Sequence, residues 1–148
     1  MRSPILPLLN EQQIRLDLDA RDATEAIRAV AALLHGNPAV IDARQLCEDV
    51  IAREQVNTTA LSHGFALPHA RTKAVSDIVL AVGRSHAGVS FGSGPAPVRL
   101  IFLLGTPPQM ISQYLGVVGG LARLLKDDAV RQCLLDAESP EEFIAALG

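Results

Sequence analysis

The chain has 148 residues, of which 49% are hydrophobic and only 3% aromatic, so its core must be built mainly from Leu, Val, Ile and Ala. A chain of this length buries most of its apolar surface in one domain, and we expect one domain over residues 1–148. The formal net charge is only −3 and basic residues are scattered among acidic ones, which argues against a nucleic-acid partner.

No segment approaches the length of a membrane span, and residues 4–9 are too short and too interrupted for the apolar part of a signal peptide. We therefore expect a cytoplasmic protein without membrane insertion. Cys47 and Cys133 are far apart and show no CxxC or metal-ligand spacing. Their apolar neighbours predict two buried thiols without a function.

Two amphipathic helices are predicted in the first third of the chain. Asp22 with Glu25 three residues later resembles a capping box, and helical periodicity follows as far as Gly36. Asp42 with Gln45 repeats this start signal for a second helix, near whose end Arg53 and Glu54 fall. The apolar stripes consist of Ala26, Ile27, Val30, Leu33 and Leu34 in the first helix, and of Leu46, Val50 and Ile51 in the second.

The most informative segment is residues 65–69, where an apolar extended run ends in Pro68 and then presents His69. This order predicts an imidazole at the point where a buried strand meets solvent. A neutral imidazole can attack phosphorus, accept a proton or bind a metal ion. The segment alone leaves these three chemistries open.

The second half of the chain predicts two buried strands followed by helices. Residues 78–82 and 100–104 are continuous apolar runs, each followed by glycine, which is typical of strands covered on both faces and ended by that glycine. Residues 88–97 between them predict a loop or an irregular edge. Helical patterns cover residues 111–125 and 128–135, and Ser139 before Pro140 opens a last helix. The predicted fold is α/β, a mixed central β-sheet with helices on both faces.

Several blocks of the sequence occur in the order and spacing of a known family. They are Glu54 and residues 59–69, 88–92, 98–104 and 121–125. Together they resemble the fructose/mannitol-type enzyme IIA domain of the bacterial phosphotransferase system, including its nitrogen-regulatory members. In that family, the sequence that ends at the histidine is usually Thr-Gly-Ile-Gly-Asn-Gly, then any two residues, then Ile-Pro-His. The similarity extends over nearly the whole chain.

The resemblance implies a phosphoryl carrier without a metal or another cofactor. By matching position, His69 is the histidine that receives the phosphoryl group from the phosphocarrier protein HPr or its nitrogen-type paralogue. The group then passes to a IIB component or serves as a regulatory signal. Arg53 matches the family's active-site arginine, whose guanidinium would hold the phosphoryl oxygens. Without the resemblance, an exposed arginine that compensates the helix dipole is the better interpretation of Arg53.

The chain departs from the family pattern at several positions. Tyr114, before Leu115, stands where transport-type members have a second histidine. Its hydroxyl could donate to a phosphoryl oxygen or orient His69, and the alternative is a tyrosine that only packs in the core. In the loop, Ala60 and Ser62 replace glycines, and His63 replaces an asparagine. These departures favour regulation over rapid sugar-linked transfer.

The loop residues Ser62, His63 and Gly64 could offer backbone N–H groups to the phosphoryl group, or form an ordinary turn. Arg71 is a weaker candidate than Arg53 for a phosphate contact, and its alternative is a solvated side chain. His35 is expected to cap a helix end, and His86 to lie in an exposed loop.

Two classes of function remain open. The first is a phosphoryl-transfer component, and the second is a non-catalytic regulatory module that controls a kinase or a transporter by binding it. A metal hydrolase using His63, His69 and His86 is a poor third interpretation, because these histidines lack a spacing typical of metal sites.

Overall fold

A computed structural model describes residues 5–61, 63–92 and 97–148 of the chain. These residues form five α-helices and six β-strands. The helices are α1 (Ala23–Ala31), α2 (Ala43–Val56), α3 (Ile111–Lys126), α4 (Asp128–Asp136) and α5 (Pro140–Leu147). The strands are β1 (Ile14–Arg15), β2 (Ala60–Leu61), β3 (Phe65–Ala66), β4 (His69–Arg71), β5 (Val79–Val89) and β6 (Val98–Thr106).

All six strands belong to one mixed sheet. Its order is β1-β5-β6-β3-β2, and β4 also pairs with β6. The central pair, β5 and β6, is antiparallel, and β2 is antiparallel to β3. The pairs β1 with β5, β3 with β6 and β4 with β6 are parallel. The prediction of a mixed sheet is confirmed.

Helices cover both faces of this sheet, and each face has its own hydrophobic core. Residues of a strand point alternately to the two faces. In β5, Val79 and Ala81 therefore pack in the core that contains α1 and α2, whereas Leu80 and Val82 pack in the core that contains α3, α4 and α5. The prediction of an α/β fold with helices on both faces is confirmed.

The prediction that glycines end the two central strands is wrong, because both strands continue through them. Gly83 lies within β5 and Gly105 within β6. A Cβ atom on Gly83 would lie 2.7 Å from Cγ2 of Val30, and one on Gly105 would lie 2.8 Å from Cδ1 of Leu46. The glycines therefore allow α1 and α2 to pack close to the sheet.

The predicted helix starts are confirmed by their side-chain caps. Asp22 accepts a hydrogen bond from the Glu25 N–H (2.9 Å), and Asp42 accepts one from the Gln45 N–H (3.0 Å). Ser139 caps α5 in the same way. The first helix differs at its end, where α1 stops at Ala31 and continues as a 3₁₀ turn.

A buried arginine connects the central strand β5 to a segment of the N-terminal part of the chain and to the end of α4. Arg84 in β5 is only 6% exposed. Its Nε–H donates to the Leu16 carbonyl (3.2 Å), and its Nη1–H groups donate to the carbonyls of Leu134 (2.9 Å) and Ala137 (2.7 Å). Burial lowers the pKa of this guanidinium from its ordinary value. Arg84 thereby satisfies carbonyl groups at the end of α4, which have no partner within the helix.

Three further predictions differ from the structure. Cys133 is exposed, and Cys47 is half-buried rather than fully buried. Leu134 points into the core, and Cys133 lies about 100° away from it around α4, on the solvent side. His86 is exposed as predicted, but it lies in β5 rather than in a loop, and Gly88 also belongs to that strand.

His35 follows the 3₁₀ turn after α1 as its capping residue, and its backbone N–H donates to the Ala32 carbonyl. Residues 93–96 of the predicted loop lie outside the described residues. In the described ranges, no helix has the length and apolar character needed to cross a bilayer.

Candidate functional site

His69 is the first residue of β4, a short strand that pairs with the end of β6. The register places His69 beside Leu104 in a parallel ladder. Pro68 has no N–H and interrupts the edge between β3 and β4, yet its carbonyl still accepts a hydrogen bond from the Leu104 N–H (2.9 Å). The backbone on both sides of the histidine is therefore fixed to the sheet, while its side chain is half-buried.

One hydrogen bond determines which nitrogen of His69 can act as a nucleophile. Nδ1 lies 2.8 Å from the carbonyl oxygen of Leu67. A carbonyl oxygen only accepts hydrogen bonds, so Nδ1 must carry the proton. In the neutral ring, Nε2 is then unprotonated and its lone pair is available for attack on an electrophile.

The imidazole faces a cavity of about 540 Å³ at the edge of the sheet. The helix α2 supplies one wall and α3 the opposite wall, and β4 lies between them. The cavity is lined by Asp49, Ala52, Arg53, His69, Ala70, Arg71, Ile111 and Tyr114. The structure thus brings His69, Arg53 and Tyr114, the three predicted site residues, to one cavity.

Two arginines give this cavity its positive charge. Arg53 is half-buried on α2, and its Nη1–H donates to the carbonyl of Asn57 (3.0 Å). Arg71 is exposed at the end of β4, two residues after His69 and therefore on the same side of the strand. Neither arginine is in an ion pair with a carboxylate among the described residues. Both guanidinium groups can therefore approach an anionic group in the cavity.

Tyr114 forms the α3 wall and contacts the histidine. Its ring centroid lies 5.7 Å from that of His69, and the side chain is only 6% exposed. Burial raises the pKa of the Tyr114 hydroxyl to about 12, and the positive charges of Arg53 and Arg71 oppose that rise. Tyr114 is therefore a neutral hydrogen-bond donor throughout the physiological pH range.

Two of the loop residues considered for this site lie elsewhere. His63 and Gly64 line a separate cavity of about 330 Å³ together with Arg99, and the His63 ring stacks on Phe65. Gly64 has a φ of 80° and lies in a turn, as the alternative interpretation of this loop expected. Ser62 lies outside the described residues.

The described ranges contain no group of three or more side chains close enough to hold a metal ion. Sequence reasoning missed Asp49, which lines the cavity one helical turn before Arg53. The spacing of four residues on a predicted helix was the available signal, because residues i and i+4 share a face.

Comparison with known proteins shows the family to which the chain belongs. Residues 7–148 match the family model for the phosphoenolpyruvate-dependent sugar phosphotransferase system, EIIA 2. The chain is 34% identical over 103 residues to the fructose-specific EIIA component of Haloferax volcanii. This aligned region is 68% of this chain and 67% of that protein. It is 28% identical over 141 residues to the fructose-specific EIIABC component of Bacillus subtilis. This aligned region is 95% of this chain but only 22% of that protein.

Solved structures show the same fold. The nitrogen regulatory protein IIA-Ntr of Neisseria meningitidis superposes with a TM-score of 0.90 at 28% identity, over 99% of this chain and all of that chain. The mannitol enzyme IIA of Escherichia coli, solved in complex with phosphorylated enzyme IIB, gives a TM-score of 0.80 at 23% identity over 94% of this chain and 96% of that chain. The chain belongs to the EIIA type 2 family of the phosphoenolpyruvate-dependent sugar phosphotransferase system.

Proposed function

We propose that Nε2 of His69 accepts a phosphoryl group from phosphorylated HPr or from its nitrogen-type paralogue. The group then passes to a IIB component or is held as a regulatory signal. The observation that carries this proposal is the hydrogen bond from Nδ1 of His69 to the Leu67 carbonyl, because it leaves Nε2 unprotonated at the cavity. The proposed exchange takes place in the cytoplasm.

The transfer exchanges one phosphorus–nitrogen bond for another. The lone pair of Nε2 forms the new bond to phosphorus, and the electron pair of the broken bond remains on the donor nitrogen. The Nδ1 proton stays on the bond to the Leu67 carbonyl. No oxidant, reductant or metal ion is required, so the chemistry depends on positioning and on charge stabilisation.

Arg53 is the proposed ligand of the phosphoryl oxygens, on which negative charge spreads in the transition state. Its Nη1 is oriented by the Asn57 carbonyl, and the remaining N–H groups form the fork that suits two oxygens. Arg71 projects from the same strand as His69 and supplies a second positive charge. Tyr114 is proposed to donate its hydroxyl hydrogen bond to the same group.

A IIB component is proposed as the next phosphoryl acceptor, and both a structurally similar protein and the surface of this chain support it. A mannitol enzyme IIA of this fold binds phosphorylated enzyme IIB, and the corresponding partner here is a IIB component. The surface of α3 also suits a protein partner, because Leu115, the residue after Tyr114, is 60% exposed. The sugar or signal served by such a pair follows from the partner rather than from this chain.

A regulatory role is the second candidate function, and two observations favour it. The likeness to the nitrogen regulatory protein of Neisseria meningitidis covers nearly the whole of both chains. Tyr114 also replaces the second imidazole that the transport-type pattern expects. A regulatory domain would bind a kinase or a transporter, and its phosphorylation state or its surface alone would control that partner.

Incubation with phosphoenolpyruvate, enzyme I and HPr, or with the nitrogen-type counterparts of these proteins, tests the proposal. We expect the intact mass to rise by one phosphoryl group that is lost in acid, and phosphorus NMR to place it on Nε2. His69→Ala should accept none, whereas His86→Ala, changed at an exposed position in β5, should accept a full equivalent. Phosphorylation of His69→Ala would overturn the assignment.

A second step separates the two candidate functions. Addition of an unphosphorylated IIB component should remove the phosphoryl group rapidly from a transfer domain. A domain that retains the group for many minutes under these conditions would instead be a regulatory module. Its binding to a candidate kinase or transporter can then be compared between the phosphorylated and unphosphorylated forms.

A further inference from the structure

Asp49 places a carboxylate in a cavity that we propose to receive an anionic group. It lines that cavity beside Arg53 and Arg71. Both oxygens of the carboxylate are already hydrogen-bonded: Oδ2 accepts from the Thr72 hydroxyl (2.6 Å), and Oδ1 accepts from the Gln45 side-chain amide (2.7 Å). The carboxylate is thus held by two uncharged donors rather than by an arginine.

Thr72 connects this carboxylate to the strand that carries the histidine. It directly follows Arg71, the last residue of β4, and is only 5% exposed. Its backbone N–H donates to the Thr106 carbonyl (2.9 Å), and its hydroxyl oxygen accepts from the Ala74 N–H (3.0 Å). With three hydrogen bonds Thr72 has a fixed position, so its bond to Asp49 joins α2 to the end of β4.

The bonds to Asp49 also affect the charge of the site. Asp49 precedes Arg53 by four residues on α2, which is the favourable order for an ion pair along a helix. Instead, Arg53 donates to the Asn57 carbonyl, and the described residues show no ion pair between Arg53 and any carboxylate. Thr72 and Gln45 therefore each hold one oxygen of Asp49, while Arg53 donates to a backbone carbonyl instead.

We propose that Asp49 is a positioning residue: held by Thr72 and Gln45, it fixes α2 against β4 and leaves Arg53 unpaired for the phosphoryl group. This inference rests on the proposed function. It assigns Asp49 no contact with the phosphoryl group itself. Release of the carboxylate should therefore slow phosphoryl transfer more than its removal does, because a released carboxylate can pair with Arg53.

The experiment measures the first-order transfer constant from saturating phosphorylated HPr in single turnovers. Thr72→Val releases Oδ2 of Asp49, and we expect it to lower this constant roughly tenfold, the effect of losing a hydrogen bond to a charged group. The dissociation constant of the donor should stay within about twofold of the parent. Thr72→Ser retains the hydroxyl and should restore transfer.

The decisive comparison is the double variant Asp49→Ala/Thr72→Val. Because the released carboxylate is gone, we expect this variant to transfer faster than Thr72→Val alone. Gln45→Ala is the second route, since Gln45 is exposed and its loss releases Oδ1 without disturbing the core. It should slow transfer, and Asp49→Ala should again relieve the defect. Ser139→Ala removes a hydroxyl hydrogen bond at the distant start of α5 and serves as the matched stability control.

Parent-like transfer by Thr72→Val and Gln45→Ala would overturn the proposal, and so would a double variant that is slower than Thr72→Val. The Arg53 Nε–H resonance is recorded in the same variants without any donor. It should shift on release of the carboxylate and return when Asp49 is removed. If the parent accepts no phosphoryl group, the proposed function fails. The resonance comparison then decides the inference about Asp49 separately.

Discussion

The Tyr114 ring lies 5.7 Å from the His69 imidazole, and the two ring planes are tilted by 45°. This distance and tilt are within the range of ordinary aromatic pairs. Tyr114 is the only tyrosine of the chain, which contains no tryptophan. The ultraviolet absorbance and fluorescence of the tyrosine therefore report on the immediate surroundings of the histidine.

Tyr114→Phe is expected to shorten the lifetime of the phosphohistidine roughly tenfold, the effect of losing one hydrogen bond to a charged group. The ring and its packing remain, so the thermal midpoint should change little. Hydrolysis of the phosphorylated protein, followed by intact mass, measures the lifetime. An unchanged lifetime would mean that the hydroxyl makes no contact with the phosphoryl group. A fall in the thermal midpoint alone would mean that the hydroxyl is bonded within the core.

Tyr114→His is expected to add a titration to the pH profile of phosphoryl transfer. An imidazole with an ordinary pKa of about 6.5 changes charge near neutrality, whereas the tyrosine hydroxyl does not. The transfer constant of this variant should therefore show one more inflection near that pH than the transfer constant of the parent does. Identical profiles for both proteins would show that position 114 does not face the reacting group.

The raised pKa of Tyr114 predicts a loss of stability in alkali. Its value of about 12 lies above the ordinary tyrosine value of about 10. Neutral Tyr114 therefore contributes stability that is fully present below about pH 10 and is lost as the pH rises through about 12. Tyrosinate absorbance should titrate late, and the thermal midpoint should fall over the same range. Tyr114→Phe lacks this group and should lose less stability between these two pH values.

Arg53→Lys is expected to slow phosphoryl transfer by about 1 to 3 kcal/mol in activation free energy, because an ammonium group cannot form a two-pronged contact with phosphoryl oxygens. Rapid-quench transfer from phosphorylated HPr measures the effect. Arg44→Lys is the control, since Arg44 is exposed on the same helix outside the cavity. Equal rates for Arg53→Lys and the parent would return Arg53 to the role of an arginine that stabilises the helix end.

Arg84→Met should destabilise the domain by about 2 to 4 kcal/mol, because it leaves the carbonyls of Leu16, Leu134 and Ala137 without their donor. Methionine preserves most of the apolar stem, so packing changes little. Denaturant unfolding gives the free energy of unfolding, and Arg15→Met at a half-exposed side chain is the control. Equal stability of Arg84→Met and the parent would show that water replaces the guanidinium at these carbonyls.

Gly105→Ala should lower the free energy of unfolding by about 1 to 3 kcal/mol, because the added methyl group would overlap the buried Leu46 side chain of α2. Since α2 carries Arg53, we also expect slower phosphoryl transfer. Gly116→Ala on α3 is the matched control, as an added Cβ there has no atom within 4 Å apart from the neighbouring backbone of its own helix. Unchanged stability in Gly105→Ala would mean that Leu46 moves aside without cost.

Local signals in the sequence predicted the helices well. Asp22 and Asp42 each accept the N–H hydrogen bond that their spacing predicted, and Ser139 caps the helix that was predicted to begin there, because capping depends on a few consecutive residues. Strand ends were predicted less well. Gly83 and Gly105 resemble strand terminators in sequence, but they are needed for contacts with helices that are distant along the chain. Such tertiary contacts leave no local pattern.

The candidate site shows the same division. His69, Arg53 and Tyr114 were identified by matching positions in a family pattern, and the structure brings all three to one cavity. Asp49 was missed, since its partner Thr72 is 23 residues away and the bond between them exists only in the folded chain. The roles proposed for these residues are open to the experiments above.

The two walls of the cavity belong to different layers of the fold. Arg53 is carried by α2, which packs in one core, and Tyr114 by α3, which packs in the other. Close-packed layers respond to substitutions as units, so repacking one core shifts one wall relative to His69. If His69 receives a phosphoryl group as proposed, natural selection for transfer rate can therefore act on leucines and valines that never touch that group. The two sides of the cavity can then diverge independently during evolution.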